Sequence, residues 1–292
     1  MFETFRNRLE IVGTITTITA LRISSGRSTD PLSVDLPVMK DVLNRPFIPG
    51  SSFKGALRSR LESFVRAVSP NLAKDPSSLT DSAVSNQVRD IKNDENNRED
   101  DARLTSKLLD ITDVVSHLFG APWLAGKLQI SDLMVLSDFW FGQYQERNGV
   151  AIDRDTETAS NGKLYEFQVV PAGTPFRFMA VLENASDWEL GLLLLGLNQF
   201  KERQVPLGGG RSRGLGVVEL QITEMRWNDM RSPNSQEPDP ERVLAYIQQV
   251  ATGNGDSRPG DDVTQDEDLH NTWVAALIAE LRDRSQTAPA MT

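Results

Sequence analysis

The chain has 292 residues, 39% of them hydrophobic, a net charge of −10, two histidines and no cysteine. Disulfides and thiolate metal sites are excluded, and His117 and His270 alone leave little room for a multi-histidine metal centre or a Ser-His-Asp triad. The longest apolar run, Leu192–Leu195, is far too short for a membrane span, and residues 1–8 carry no leader pattern; the expectation is a soluble, cytoplasmic protein.

The acidity is unevenly spread. Residues 228–292 hold 12 acids and 5 bases, and residues 70–110 hold 9 acids and 6 bases. The remainder is balanced, so a locally basic groove is compatible with the overall sign.

Arg8–Thr16 alternates, with Leu9, Ile11 and Ile15 on one face, and predicts a half-buried strand continuing irregularly through Leu21 and Ile23. A long loop, residues 24–45, follows. Pro49-Gly50 then breaks the chain, and Ser51 or Ser52 can cap a helix whose apolar face is Phe53, Leu57, Leu61, Phe64, Val65 and Val68. Lys54 and Arg58 share another face. A helix start with free N–H groups and two cations suits a phosphate; the same pattern also fits an ordinary amphipathic helix with solvated cations.

Residues 71–101 are polar and charged and read as a surface insertion, partly disordered. One helical stripe runs through Leu104, Leu108, Ile111, Val115, Leu118 and Phe119 and stops at Gly120-Ala121-Pro122, with His117 placed to act as a cation at the helix end. Lys127–Leu136 reads as a strand. An excursion over residues 138–171 carries Asn161-Gly162, a hairpin-turn signal, before strands around Tyr165–Val169 and Phe176–Leu182. Ser186 with Glu189 forms a capping box opening a helix to Lys201. A glycine-rich loop over Gly208–Gly216 leads into a strand through Ile222. Two helical stretches, Pro240–Val250 and Leu269–Arg282, end the chain.

Without its insertions the order is βαββαβ, an α+β, ferredoxin-like plan shared with RRM-type RNA binders. Residues 1–227 then form the main domain, with insertions at 71–101 and 138–171, and residues 228–292 an acidic C-terminal extension.

Three constellations could carry chemistry. Gly208, Gly209, Gly210, Arg211 and Arg213 offer close backbone approach and positive charge; the loop lacks the endings of a P-loop or a dinucleotide fingerprint and suits a phosphate backbone, although a flexible connection has the same composition. Asp30 and Asp35 on the long loop could hold a hydrated Mg²⁺ or position a hydroxyl, or simply be solvated. Trp140, Phe141, Tyr144, Tyr165 and Phe167 interleave with Arg147, Arg154 and Lys163, as base-stacking surfaces do and as packed hairpins also do.

Taken together, the stretches Phe47–Arg58, His117–Gly120 and Leu207–Gly216 resemble the three signatures of the RAMP superfamily, and most closely the repeated backbone subunits of type III CRISPR RNA-guided effector complexes. The resemblance covers roughly Arg8 to Trp227. It implies a modified RRM palm stacked with neighbouring RAMP subunits and a large subunit along guide CRISPR RNA. Ser51, Ser52, Lys54, Arg58, Gly208, Gly209, Gly210, Arg211 and Arg213 would hold the guide, and a thumb-like hairpin over Gly149–Pro171 would kink the guide–target duplex. It further implies target RNA cleavage at regular intervals, with Asp35 as the catalytic residue and as ligand to Mg²⁺ or another divalent cation. The 2′-OH would attack its own phosphorus, leaving a 2′,3′-cyclic phosphate. A non-catalytic structural subunit and a CRISPR RNA-processing endoribonuclease are the alternatives. Ser24-Ser25-Gly26 departs from the paired glycines common in the family, and the insertion and tail are long.

Overall fold

The computed structural model of the chain describes residues 4–27, 34–98, 100–152, 159–232, 235, 237–252 and 259–287. Strand β1 (Asn7–Thr17) alternates buried and half-buried positions along its whole length, as its sequence requires. After a loop, the short β2 (Phe47–Ile48) leads into α1 (Gly50–Val68), which buries Phe53, Leu57, Leu61 and Val65.

The described part of residues 71–101 is largely helical where its composition suggests partial disorder. It forms α2 (Ser82–Asn93), α3 (Glu95–Arg98) and the start of α4 (Asp101–Asp110), anchored by buried Leu72, Leu79 and Leu108. Asp100 caps α4 by accepting from the Arg103 N–H at 2.9 Å. The continuous stripe expected from Leu104 to Phe119 is also broken. Thr112 Oγ1 donates to the Leu108 carbonyl, and Asp113 accepts from the Ser116 N–H at 3.0 Å, restarting the chain as α5 (Val114–Phe119).

The strand expected over residues 127–136 is split into β3 (Leu128–Ile130) and β4 (Leu133–Met134). Asp132, between them, turns away to accept the Gly50 N–H at 2.8 Å. Then come β5 (Gln145–Ile152), β6 (Ala159–Val169) and β7 (Pro175–Glu183). Asn161-Gly162 lies within β6 rather than in the hairpin turn, and Arg154 and the connection between β5 and β6 lie outside the described residues. Helix α6 (Asp187–Lys201) opens with the expected capping box, Ser186 N–H to Glu189 at 2.7 Å. Strand β8 (Val218–Asp229), helix α7 (Pro240–Thr252), the short β9 (Asp261–Asp262) and helix α8 (Glu267–Thr287) complete the chain.

The main sheet has the order β3-β7-β1-β8-β9, antiparallel throughout. With α1 and α6 packed together on it, this is the expected ferredoxin-like α+β architecture. Phe53 ties the layers together, with its ring 4.4 Å from Phe200 on α6 and 5.1 Å from Phe178 on β7. The C-terminal segment joins this core: β9 extends the sheet beyond β8, and Trp273 of α8 is buried against Trp227, ring centroids 5.5 Å apart. No helix among the described residues is long and apolar enough to cross a membrane.

Candidate nucleic-acid interface

Past the end of β1 the chain leaves the sheet but stays hydrogen-bonded on both sides. The Leu21 N–H donates to the Val170 carbonyl and the Leu21 carbonyl accepts the Val170 N–H in return, while the Gly216 N–H donates to the Ala20 carbonyl. The loop over Leu207–Gly216 therefore folds back over residues 20–22. The Gly209 N–H donates to the Arg22 carbonyl at 2.8 Å, and the Leu207 N–H to the Gly216 carbonyl at 2.8 Å. Gly208 takes φ +74°, and a Cβ there would drive into the Arg22 carbonyl, so glycine is required on two counts. Gly210 and Gly214 bracket a single turn, Arg211–Arg213. The loop is ordered by backbone bonds, not a slack connection, and it presents Arg211, Ser212 and Arg213 to solvent.

A small apolar cluster of Ala20, Phe167, Val169 and Leu215, with Leu36 and Tyr165 against it, joins this loop to the base of the β5–β6 hairpin. The Asp35 segment enters the same cluster. Leu36 exchanges backbone bonds with Glu166 and Gln168 of β6, and the Asp35 carboxylate accepts the Glu166 N–H at 3.0 Å. Arg213 Nη1 donates to the Tyr165 hydroxyl at 3.0 Å, and the Arg22 guanidinium lies 4.7 Å over the Phe167 ring. Asp35, the hairpin base and the glycine-rich loop are thus one connected surface carrying two aromatics and three arginines. Among the described residues, the side chain of Arg211 has no carboxylate partner and that of Arg213 has only the tyrosine.

The start of α1 is built differently from the capped helix its sequence suggests. Pro49 occupies the cap position, and neither Ser51 nor Ser52 caps with its side chain. The Gly50 N–H is taken by Asp132, and the Ser52 and Phe53 N–H groups by the Pro49 carbonyl. A Cβ on Gly50 would strike the carbonyls of Ile130 and Ser131, so glycine lets the helix start press against that turn. Ser51 is exposed and Ser52 half-buried. Lys54 Nζ donates to the Leu128 carbonyl at 2.7 Å, and burial, with the nearby charge of Arg58, holds its pKa below the usual lysine value. Arg58 is turned inward and fully engaged, donating to Glu62 (2.8 Å), Ser116 (2.9 Å) and the Gly120 carbonyl (3.1 Å). It braces α1 against α5 instead of projecting from the helix start.

Sequence reasoning did not single out Asp132 or Arg22. Asp132 fills the helix start from 82 residues away, a link no local pattern carries. Arg22, directly after the β1 alternation, had a positional signal in that it breaks an apolar run at the end of the strand.

No group of three His, Asp or Glu side chains able to hold a metal stands among the described residues. Asp35 offers one carboxylate, with one oxygen already accepting a backbone N–H. One carboxylate is too few protein donors to hold a divalent ion by itself. The histidines lie elsewhere, on α5 and α8; His117 Nε2 is 3.2 Å from the Leu109 carbonyl.

The antiparallel palm, the glycine-rich loop and the Pro-Gly-Ser-Ser helix start define a RAMP-type protein, and the RAMP superfamily model matches residues 14–219. The chain belongs to that superfamily. Within it, the chain is similar to two proteins described as CRISPR system Cms endoribonuclease Csm3: that of Mycobacterium tuberculosis, 45% identical over 56 residues, and that of Enterococcus italicus, 44% identical over 57 residues. The matched stretches cover 18% and 19% of this chain and only 24% and 27% of those relatives.

Proposed function

We propose that this chain is a backbone subunit of a type III CRISPR effector complex that binds guide RNA and cleaves guide-paired target RNA through Asp35. Its partners in this reading are guide CRISPR RNA, target RNA, neighbouring RAMP subunits and the large subunit. The observation that supports it best is the tether of the Asp35 carboxylate to β6 beside the glycine-rich loop. A carboxylate so placed can orient a ribose 2′-OH toward the adjacent phosphorus while the loop and its arginines hold the backbone. A divalent cation shared by Asp35 and the RNA would supply charge stabilisation at the phosphorus. Products would carry a 2′,3′-cyclic phosphate and a 5′-hydroxyl, and DNA would be spared for want of the 2′-OH.

The same tether also supports a second reading, a structural subunit in which Asp35 only pins its loop to the hairpin. The test is the reconstituted complex with labelled complementary RNA and Mg²⁺, comparing wild type with Asp35→Ala and Asp35→Asn. The catalytic reading expects cuts at regular spacing that both variants lose, by about 10²-fold or more, with target binding retained. Cleavage at wild-type rate in Asp35→Asn, which keeps an acceptor for the Glu166 N–H, assigns Asp35 a structural role.

A further inference from the structure

A cavity of about 370 Å³ opens at the far end of β1, bounded by α4, α5, the start of α6 and the end of α8. Arg6 and Asn7 line it, whereas the glycine-rich loop sits past Thr17; ten residues of strand put the two sites about 33 Å apart. Its wall carries Arg6, Lys127 and Arg284 together with His117, Trp188 and Ser186, and no acidic residue among the described residues that line it. Just behind this wall Lys127 is paired with Glu189 and Arg284 with Glu280 (2.6 Å each), and Arg6 is the lining cation with no carboxylate partner among the described residues.

The wall is built, not incidental. Lys127 is held from behind by Glu189, which is 0% exposed, through bonds of 2.6 and 2.7 Å. The Arg284 guanidinium lies 5.5 Å over the Trp188 ring, and the His117 ring meets the same indole edge-on at 5.5 Å. Arg6 Nε is buried with no hydrogen-bond partner among the described residues. A buried donor left unmet is costly and is ordinarily satisfied by something.

We infer that this cavity binds a phosphate-bearing small molecule, either inorganic phosphate or a phosphate monoester, with Arg6 and Arg284 at its oxygens. The guanidinium, ammonium, amide and hydroxyl donors outnumber what the two oxygens of a carboxylate can accept and suit the three terminal oxygens of a phosphate. The site is independent of the RNA interface. His117 reports on it. Burial first, then the charges of Arg284 and Lys127, opposed by the hydrogen bond to the Leu109 carbonyl and by Asp113 at the start of α5, push its pKa down to about 4. A bound dianion would reverse the local field and raise it.

The experiment is titration of the full chain with inorganic phosphate and, separately, with adenosine 5′-monophosphate, followed by calorimetry and by NMR of its two histidines. One-to-one binding of either probe is expected, with an upward shift of the His117 pKa. Arg6→Gln should weaken it at least about tenfold without moving the melting temperature. Ser106→Asp, on the exposed rim, serves the same purpose if Arg6→Gln folds poorly. Phosphate binding as well as the ester marks a simple anion site, whereas the ester alone marks a larger ligand; both support the proposal. Absence of binding by either probe overturns it. So does binding that both variants leave intact, or binding of an oligoribonucleotide here with neither small probe.

Discussion

His117 stands three residues before the Gly120 C-cap, where a protonated imidazole would be favoured by the helix dipole. The structure overturns the expectation that it acts as a cation there. The side chain is 7% exposed, its Nε2 meets the Leu109 carbonyl, and Arg284 and Lys127 face it. Loss of hydration and the two cations outweigh the dipole, whose worth is at most about 1–2 kcal/mol. The sign of the pH effect follows. With the folded pKa near 4 and the unfolded value at 6.5, the unfolded chain takes up the proton first as pH falls. His117 therefore contributes stability above pH 6.5 that is lost between pH 6.5 and 4, about 3 kcal/mol in all. Carboxylates titrate at the lower end of that window, so the measurement is a difference. The stability of wild type relative to His117→Gln, from urea melts, should rise as pH goes from 4 to 6.5 and be flat above it. A flat difference throughout would mean the imidazole is not kept neutral by its surroundings.

Helix α8 is the element whose importance its own sequence least reveals. Its pattern predicts a short helix in an acidic tail, yet it runs from Glu267 to Thr287 and packs along α6. Trp273 is its anchor, 1% exposed, and Gly191 of α6 is glycine because a Cβ would strike the Trp273 carbonyl. Trp273→Ala should cost about 3–5 kcal/mol of unfolding free energy and diminish the near-ultraviolet dichroism of the Trp227–Trp273 pair. Gly191→Ala should act in the same direction by forcing the two helices apart. Near-wild-type melts for both would show that α8 is not part of the cooperative core. The contrast with β1, α1 and α6 explains what the sequence revealed of the fold. Those elements are specified by local alternation, helical stripe and capping box, and the structure keeps all three, except that Val68 at the end of the α1 stripe is exposed and Phe64 only half-buried. The breaks at Thr112-Asp113 and Ser131-Asp132 were hidden because polar side chains there capture backbone groups, Asp132 across 82 residues. Asn161-Gly162 misled because register in the hairpin is set by pairing along its whole length, Gly149 opposite Tyr165. At the candidate interface, the glycine-rich loop and Asp35 are named by motif alone, whereas the inward commitment of Arg58 and the Arg213–Tyr165 bond depend on side-chain partners far away in sequence.

At the scale of the whole molecule, a net charge of −10 opposes a polyanionic partner, and the proposed RNA binding has to overcome it locally. Screening sets the range over which charges compete, about 8 Å at physiological ionic strength. The acid-rich C-terminal segment is engaged at the β8 edge and on α6, whereas Arg211 and Arg213 stand on the glycine-rich loop without carboxylate partners among the described residues. Salt should therefore act in two opposed ways. It relieves the diffuse repulsion from the whole chain, and it weakens each arginine–phosphate contact by counterion uptake. The second term is local and separable by mutation. If both arginines touch the backbone of single-stranded guide RNA, Arg211→Gln with Arg213→Gln should reduce the magnitude of the log K against log salt slope by about 1.4, about 0.7 per phosphate. The loss of affinity should be largest at low salt. Anisotropy titrations of labelled RNA across a range of KCl concentrations measure both quantities. A weaker affinity with an unchanged slope would place the arginines in maintaining the loop, through the Arg213–Tyr165 bond, and move the phosphate contacts to other residues.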